Sequence, residues 1–159
     1  MNAEWFEFLK KDYLQGFPAY CGFSVKHAAF GEFVTHLTVQ NIHKQQDGFV
    51  HAGVVATMAD HTAGYAAYTT VEPAYRILTV EFKINYLRPA GGPLVMCHAK
   101  VINTGKRIIV SESEVFSGDD LADDEGSRTQ PKLVSKAMVT LMVVPASSLN
   151  SPQTKDDDR

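Results

Sequence analysis

The stretch DGFVHAGVVATMADHTAGYAAYT, residues 47–69, constrains what this chain can fold into more than any other. It reads as a buried helix of Ala, Gly, Val, Met and Thr, with one carboxylate, Asp60, in its middle and no Lys or Arg beside it. At about 100° per residue, Asp60 shares its face with Gly53, Ala56, Thr57, Ala63, Gly64 and Ala67, the smallest face available. The neighbouring stripe, Val54, Met58, Tyr65 and Tyr68, is large enough to fill a core. A Gly/Ala face lets another backbone, another helix or a flat ligand come close. A carboxylate buried there without a partner costs several kcal/mol in order of magnitude, and its pKa shifts upward. Two other readings stay open at this point. Asp60 could be the N-cap of a shorter helix starting at His61, a role Asp fills well, or it could face solvent.

The flanking patterns supply the partners such a helix needs. Residues 3–15 place Trp5, Phe6, Leu9 and Tyr13 at helical spacing, with Gly16 and Pro18 as the stop. Residues 20–39 are rich in β-branched and aromatic residues and broken by Gly31, which predicts two strands and a tight turn. After the central helix come three strand-like runs, ILTVEFKINYL, LVMCHAKVI and RIIVSESEVF, and a last one, LVSKAMVTLMVV, at 133–144. NTG between the second and third is a hairpin signal, with Gly105 able to take positive φ. Alternation in the first run puts Leu78, Val80, Phe82, Ile84 and Tyr86 on one face and Thr79, Glu81 and Lys83 on the other. Clustered strands around one helix predict an α+β domain in which an antiparallel sheet wraps a long central helix, with a short N-terminal helix laid on it. The edges of that sheet need covering or pairing, so a dimer that continues the sheet is expected.

With 159 residues and 45% hydrophobic content, a single domain over 1–145 can bury a substantial core. The polar segment SGDDLADDEGSRTQPK is expected to be a mobile loop, and residues 146–159 a disordered tail. A net charge of -3 gives no general attraction to nucleic acid or anionic membrane, and neither is expected as a partner. No apolar run approaches the ~18 residues of a membrane span. Cys21 and Cys97 are isolated, which suggests a reducing compartment, and MNAEWFEFLKKDY does not resemble an export signal; a cytoplasmic protein is expected. The six histidines show no paired ligand spacing, and no Gly-rich phosphate loop or GxSxG elbow is present, so neither a metal nor a cofactor is expected.

His51 and Gly53 stand where the helix begins, so free backbone N–H groups and the positive end of the helix dipole are available to hold a carbonyl oxygen. Asp60 lies about two turns further on. Donors and carboxylate together suggest a site that grips a carbonyl and delivers a base or water to it.

The run GFVHAGVVATMADHTAGYAA, followed by TVEFKINYLRPAGGP and NTGKRIIVSESEV, resembles the PaaI-like branch of the hotdog-fold acyl-CoA thioesterases over roughly residues 20–145. The most specific part is a helix-start HGG followed by an acid eight residues after the first glycine, here His51, Ala52, Gly53 and Asp60. The resemblance implies that Asp60 activates or orients water, or attacks the thioester itself, and that the Ala52 N–H polarises the carbonyl while His51 positions that end of the substrate. It further implies that Thr79, contributed by the partner subunit, helps hold the water, and that Gln45 stands where relatives often have Asn. Ala52 replaces a glycine, so its methyl group would narrow the site or resist a positive φ.

The substrate so implied is a small aryl or short- to medium-chain acyl-CoA, bound in active sites shared across a homodimer, which in the family often pairs again into a tetramer. Arg88, Lys106 and Arg107 are the cations placed by sequence to meet the CoA phosphates. The same fold also hosts enoyl-thioester hydratases and non-catalytic acyl-CoA-binding modules, which are the alternatives.

Overall fold

The computed structural model describes residues 2–119 and 130–149. The first helix, α1 (Ala3–Tyr13), is capped by Asn2, whose side chain accepts the Trp5 N–H at 3.1 Å, and it buries Leu9 and Tyr13. A one-turn helix, α2 (Phe17–Tyr20), carries Pro18 in its first turn, where a missing N–H costs nothing. Strands β1 (Phe23–Ala29) and β2 (Glu32–Thr38) form the expected hairpin, and Gly31 turns it with φ +75°. A 3₁₀ turn at Asn41–His43 leads into the central helix α3 (Ala52–Tyr68). Strands β3 (Tyr75–Tyr86), β4 (Leu94–Thr104), β5 (Ile108–Gly118) and β6 (Lys132–Pro145) follow. Residues 146–149 of the expected disordered tail form a helical turn, α4 (Ala146–Leu149). The remainder of that tail, and residues 120–129 of the acidic loop, lie outside the described residues.

All pairings are antiparallel, and the strand order is β1-β2-β4-β5-β6-β3. The chain leaves β2 near one edge, crosses the sheet as α3 and returns as β3 at the opposite edge. This is the α+β hotdog architecture that the resemblance implies, an antiparallel sheet wrapped around one long helix.

The helix keeps Met58 and Tyr68 of the expected stripe buried but otherwise turns a smaller-residue stripe inward. Val55, Met58, Ala59, Thr62, Ala63 and Ala66 are buried, whereas Val54 and Tyr65 are only partly covered. Small side chains face the sheet because the helix axis runs close to it, and Phe33, Leu37, Val95, Ile109, Val139 and Leu141 fill the space around them. Hydroxyls join three elements inside this core: Thr62 lies 2.8 Å from Thr35 and 3.2 Å from the Tyr13 hydroxyl. The face left half-open carries Gly53, Ala56, Thr57, Asp60 and Gly64.

The strands depart from the sequence pattern at two points. Gly105 is not in positive φ; it is there because the backbone approaches closely, and a Cβ would stand 2.6 Å from the Ile108 carbonyl oxygen. Strict alternation also fails along β3, where a bulge skips Val80: Thr79 pairs with Leu141, and Glu81 with Thr140. The extra residue resets the pleat, so Thr79 joins Phe82, Ile84 and Tyr86 on the side facing α3. The outer edge of β3 has no strand partner, and Leu78, Val80 and Tyr86 on it are 39%, 58% and 49% exposed. Among the described residues no helix is long and apolar enough to cross a membrane.

Candidate active site

The start of α3 is fixed by a local hydrogen-bond pattern. His51 is the N-cap, and its Nδ1 accepts the Gly53 N–H at 2.9 Å. Gly53 must be small here, because a Cβ would sit 3.0 Å from that nitrogen. The His51 N–H donates to the His43 carbonyl at 2.8 Å, and the Tyr86 hydroxyl donates to the Ala52 carbonyl at 3.0 Å. At the first helical position the Ala52 N–H has no acceptor among the described residues, as helix geometry requires. It is therefore a fixed, unspent donor at the positive end of a 17-residue helix. Among the described residues only glycines adopt positive φ, so alanine at position 52 is unstrained and keeps the donor.

A cavity of about 520 Å³ opens beside this donor, lined among others by Gln45, Phe49, Ala52, Tyr86 and Arg88. Gln45 thus faces the same space as Ala52. Arg88 stands at its rim, with Nη1 donating to the Leu133 carbonyl at 3.0 Å.

Asp60 lies well inside α3 and is not an N-cap. Its Oδ1 accepts a 2.9 Å hydrogen bond from the Thr79 hydroxyl, delivered across from β3 by the reset pleat. Thr79 therefore bonds Asp60 of its own chain. Burial pushes the Asp60 pKa up, and the Thr79 hydrogen bond and the charge of His61 offset part of that rise. His61 is shifted the other way by burial, which disfavours its charged form. Asp60 borders two further cavities, one of about 260 Å³ reaching Tyr65, Thr79 and Leu141, and one of about 360 Å³ lined by Phe17, Ala56 and Phe82.

The two halves of the expected site do not meet within one chain. Eight residues at about 1.5 Å rise put Ala52 and Asp60 roughly 12 Å apart along the same helix, beyond the reach of one carbonyl group. They also line different cavities. The basic residues are separated as well. Lys106 and Arg107 cap the β4–β5 hairpin near the start of β3, where Ile108 and Leu78 both lie level with Met142, whereas Arg88 follows the end of β3. Sequence reasoning missed Tyr86, which pins the helix start, and Asp12, whose carboxylate receives the Tyr65 hydroxyl at 2.7 Å. A tyrosine at the end of a strand gave no sign of its target. Among the described residues no cluster of three His, Cys, Asp or Glu side chains could hold a metal ion.

Comparison with known proteins agrees with this picture. The family model described as the thioesterase superfamily matches residues 47–122, the span from the helix start through β5. A candidate esterase of Halobacterium salinarum is 33% identical over 116 residues, covering 69% of this chain and 76% of that protein. The 1,4-dihydroxy-2-naphthoyl-CoA hydrolase of Listeria monocytogenes is 29% identical over 94 residues, 59% of this chain and 76% of that enzyme. Among solved structures, a thioesterase family protein from Silicibacter pomeroyi superposes with a TM-score of 0.77 at 28% identity, covering 88% of this chain and 98% of that one. The chain belongs to the thioesterase superfamily. It is a thioester hydrolase on the hotdog fold.

Proposed function

We propose that this chain hydrolyses the thioester of a small aryl or short- to medium-chain acyl-CoA, in the manner of the PaaI-like enzymes, as a homodimer whose active sites each draw on both subunits. One observation carries the reading: a half-buried carboxylate held by Thr79 and an unspent helix N–H lie on the same helix, too far apart to share a substrate in one chain. A second copy joined along β3 resolves this. Antiparallel pairing of two open β3 edges runs the two helices in opposite directions, so Asp60 of one chain faces Ala52 of the partner subunit. The same pairing brings Lys106 and Arg107 of one subunit toward the end of the sheet where the other has Arg88, which suits three phosphates at one mouth. Two such dimers pairing again would give a tetramer. Two free, buried cysteines and a CoA substrate support a cytoplasmic enzyme.

In the reaction, Asp60 accepts a proton from a water molecule as that water attacks the carbonyl carbon. The oxyanion that forms is held by the Ala52 N–H of the partner subunit at the helix terminus. Collapse of the tetrahedral species expels the CoA thiolate, which takes up the proton from Asp60. His51 and Tyr86 hold the helix start in place, and Gln45 lies where its amide can hydrogen-bond the substrate near the carbonyl.

Thiol release from phenylacetyl-, benzoyl-, short- and medium-chain acyl-CoAs, with wild type beside Asp60→Asn, tests this. The internal cysteines contribute little background, because both are buried and burial pushes Cys97 up to about 12. Turnover is expected for at least one ester and is lost in the variant. Equal turnover in the variant would remove Asp60 from the mechanism. Bleaching of crotonyl-CoA without thiol would mark a hydratase, and tight binding without turnover would mark a binding module.

A further inference from the structure

Side chains of β3 hydrogen-bond α3 beside both of the groups that the proposed reaction uses. Near the start of the strand the Thr79 hydroxyl reaches Asp60 at 2.9 Å, and at its end the Tyr86 hydroxyl reaches the Ala52 carbonyl at 3.0 Å. Thr79 and Tyr86 are an odd number of residues apart, so strict alternation would put them on opposite faces of the strand. The bulge at Val80 turns both toward the helix. One extra residue in an edge strand therefore ties the sheet to the carboxylate and to the helix start together.

The Tyr86 bond bears on the direction of the free Ala52 N–H. The peptide between Ala52 and Gly53 is held at both ends: its carbonyl accepts from the Tyr86 hydroxyl, and its N–H donates to His51 Nδ1 at 2.9 Å. On the other side, the His51 N–H donates to the His43 carbonyl at 2.8 Å. The peptide that carries the Ala52 N–H lies between these anchored neighbours, and its own carbonyl, that of His51, accepts the Val54 and Val55 N–H groups at 3.0 and 3.3 Å. Such fixing matters because an oxyanion donor works only when it already points where charge develops. Of these anchors, Tyr86 is the one that comes from a strand. The bonds run in one direction, from phenol through peptide to imidazole, so that each polarises the next. Burial pushes the Tyr86 pKa up, and the phenol keeps its proton, and so its role as donor, well past neutral pH.

We propose that Tyr86 is a positioning residue for the oxyanion donor, and that it serves the active site to which its own chain contributes Ala52, not the one to which its chain contributes Asp60. The inference rests on the shared-site reading of the thioesterase. It makes the edge strand a strut between two sites, with the Thr79 end working for one and the Tyr86 end for the other.

The test uses Tyr86→Phe, which keeps the ring, on whichever of phenylacetyl-, benzoyl- and straight-chain acyl-CoA wild type cleaves fastest. kcat is expected to fall about tenfold with KM unchanged, short of the roughly hundredfold or more for outright loss of an oxyanion donor. The acid limb of the pH profile, set by Asp60, stays in place. An unchanged kcat, a loss carried by KM, or a loss matched by unfolding in thermal melts overturns the proposal. Mixed dimers then read which site Tyr86 serves. Equal amounts of Tyr86→Phe and Asp60→Asn chains, reassorted, are expected to regain about a quarter of wild-type activity, because each hybrid holds one site with Asp60 and Tyr86 both intact. A mixture that stays near about a twentieth, the residue of the slowed Tyr86→Phe sites, overturns the proposal. If Asp60→Asn mixed with Ala52→Pro recovers in the same conditions, the shared-site reading still stands. Failure of both mixtures defeats that reading, and no thiol from any ester defeats the proposed activity; the Tyr86 proposal falls with either.

Discussion

The Thr79 hydroxyl donates to Asp60 Oδ1 at 2.9 Å across the gap between β3 and α3. The bond opposes burial, which lifts the Asp60 pKa, because it stabilises the ionised form. A general base must be ionised to work, so activity should rise with pH through the raised Asp60 pKa. Thr79→Val removes the donor at nearly constant volume, and the acid limb of the kcat/KM profile is expected to move to higher pH, with kcat down on the order of tenfold. Thr79→Ser keeps the donor and should restore the wild-type limb. Superimposable profiles for all three proteins would show that the bond does not tune the base.

Asp60→Asn separates catalysis from stability. Loss of the base is expected to lower kcat by on the order of a hundredfold or more. Stability should change in the other direction. The folded pKa of Asp60 lies above its unfolded value, so the folded state favours the neutral carboxyl. The ionised group therefore weighs against folding at every pH above the folded pKa, and that penalty disappears as pH falls through the folded pKa toward the unfolded one. The variant should melt at or above wild type at pH 7, with the margin closing in acid. Thermal melts across that pH range check the sign, and a variant that melts well below wild type at pH 7 would contradict it.

The helix start depends on His51 accepting from Gly53 with no atom between them. Gly53→Ala places a methyl carbon 3.0 Å from Nδ1, so the ring must give by a few tenths of an ångström and the cap is weakened. The expected loss of stability is at most about 1 kcal/mol, the cost of removing an N-cap outright. His51→Ala should lose a similar amount, and the double variant little more than either, because both act on one interaction. Additive losses in a denaturation cycle would show that the two residues act separately.

Elements and their order were legible in the sequence because each follows a local period: 3.6 for α3, 2 for the strands, and glycine at the β1–β2 turn. Asp60 stood out as a lone acid in an apolar helix, and the start of the helix was marked by His51 and Gly53. The direction of Thr79 was not legible. A bulge adds one residue to a strand without changing its composition, and only pairing with β6 reveals that Val80 is skipped. Of the expected core stripe of α3, Met58 and Tyr68 are buried, but Val54 and Tyr65 were misjudged for a related reason. Large residues were expected to point inward, but the sheet lies so close that Ala59, Ala63 and Ala66 take those positions, and Tyr65 is left for α1 to cover. The separation of Ala52 from Asp60 follows from helix rise alone and could have been read from the numbering.

That separation gives the sharpest test of a shared active site. Ala52→Pro removes the N–H, with a pyrrolidine ring in its place. Proline is favoured at the first helical position, and His51 already has the extended backbone, φ -61° and ψ 137°, that must precede it. The variant should fold and be inactive, as should Asp60→Asn. If each site joins Asp60 of one subunit to Ala52 of the other, a hybrid dimer of the two variants has one doubly broken site and one intact site. Random reassortment of equal amounts makes half the dimers hybrid, so about a quarter of wild-type activity should return. If both residues served the same site from one chain, every site in the mixture would carry one lesion and no activity would return. Val80→Lys on the open β3 edge provides the control: a charge there should weaken pairing, so that dimer content by sedimentation and activity fall together.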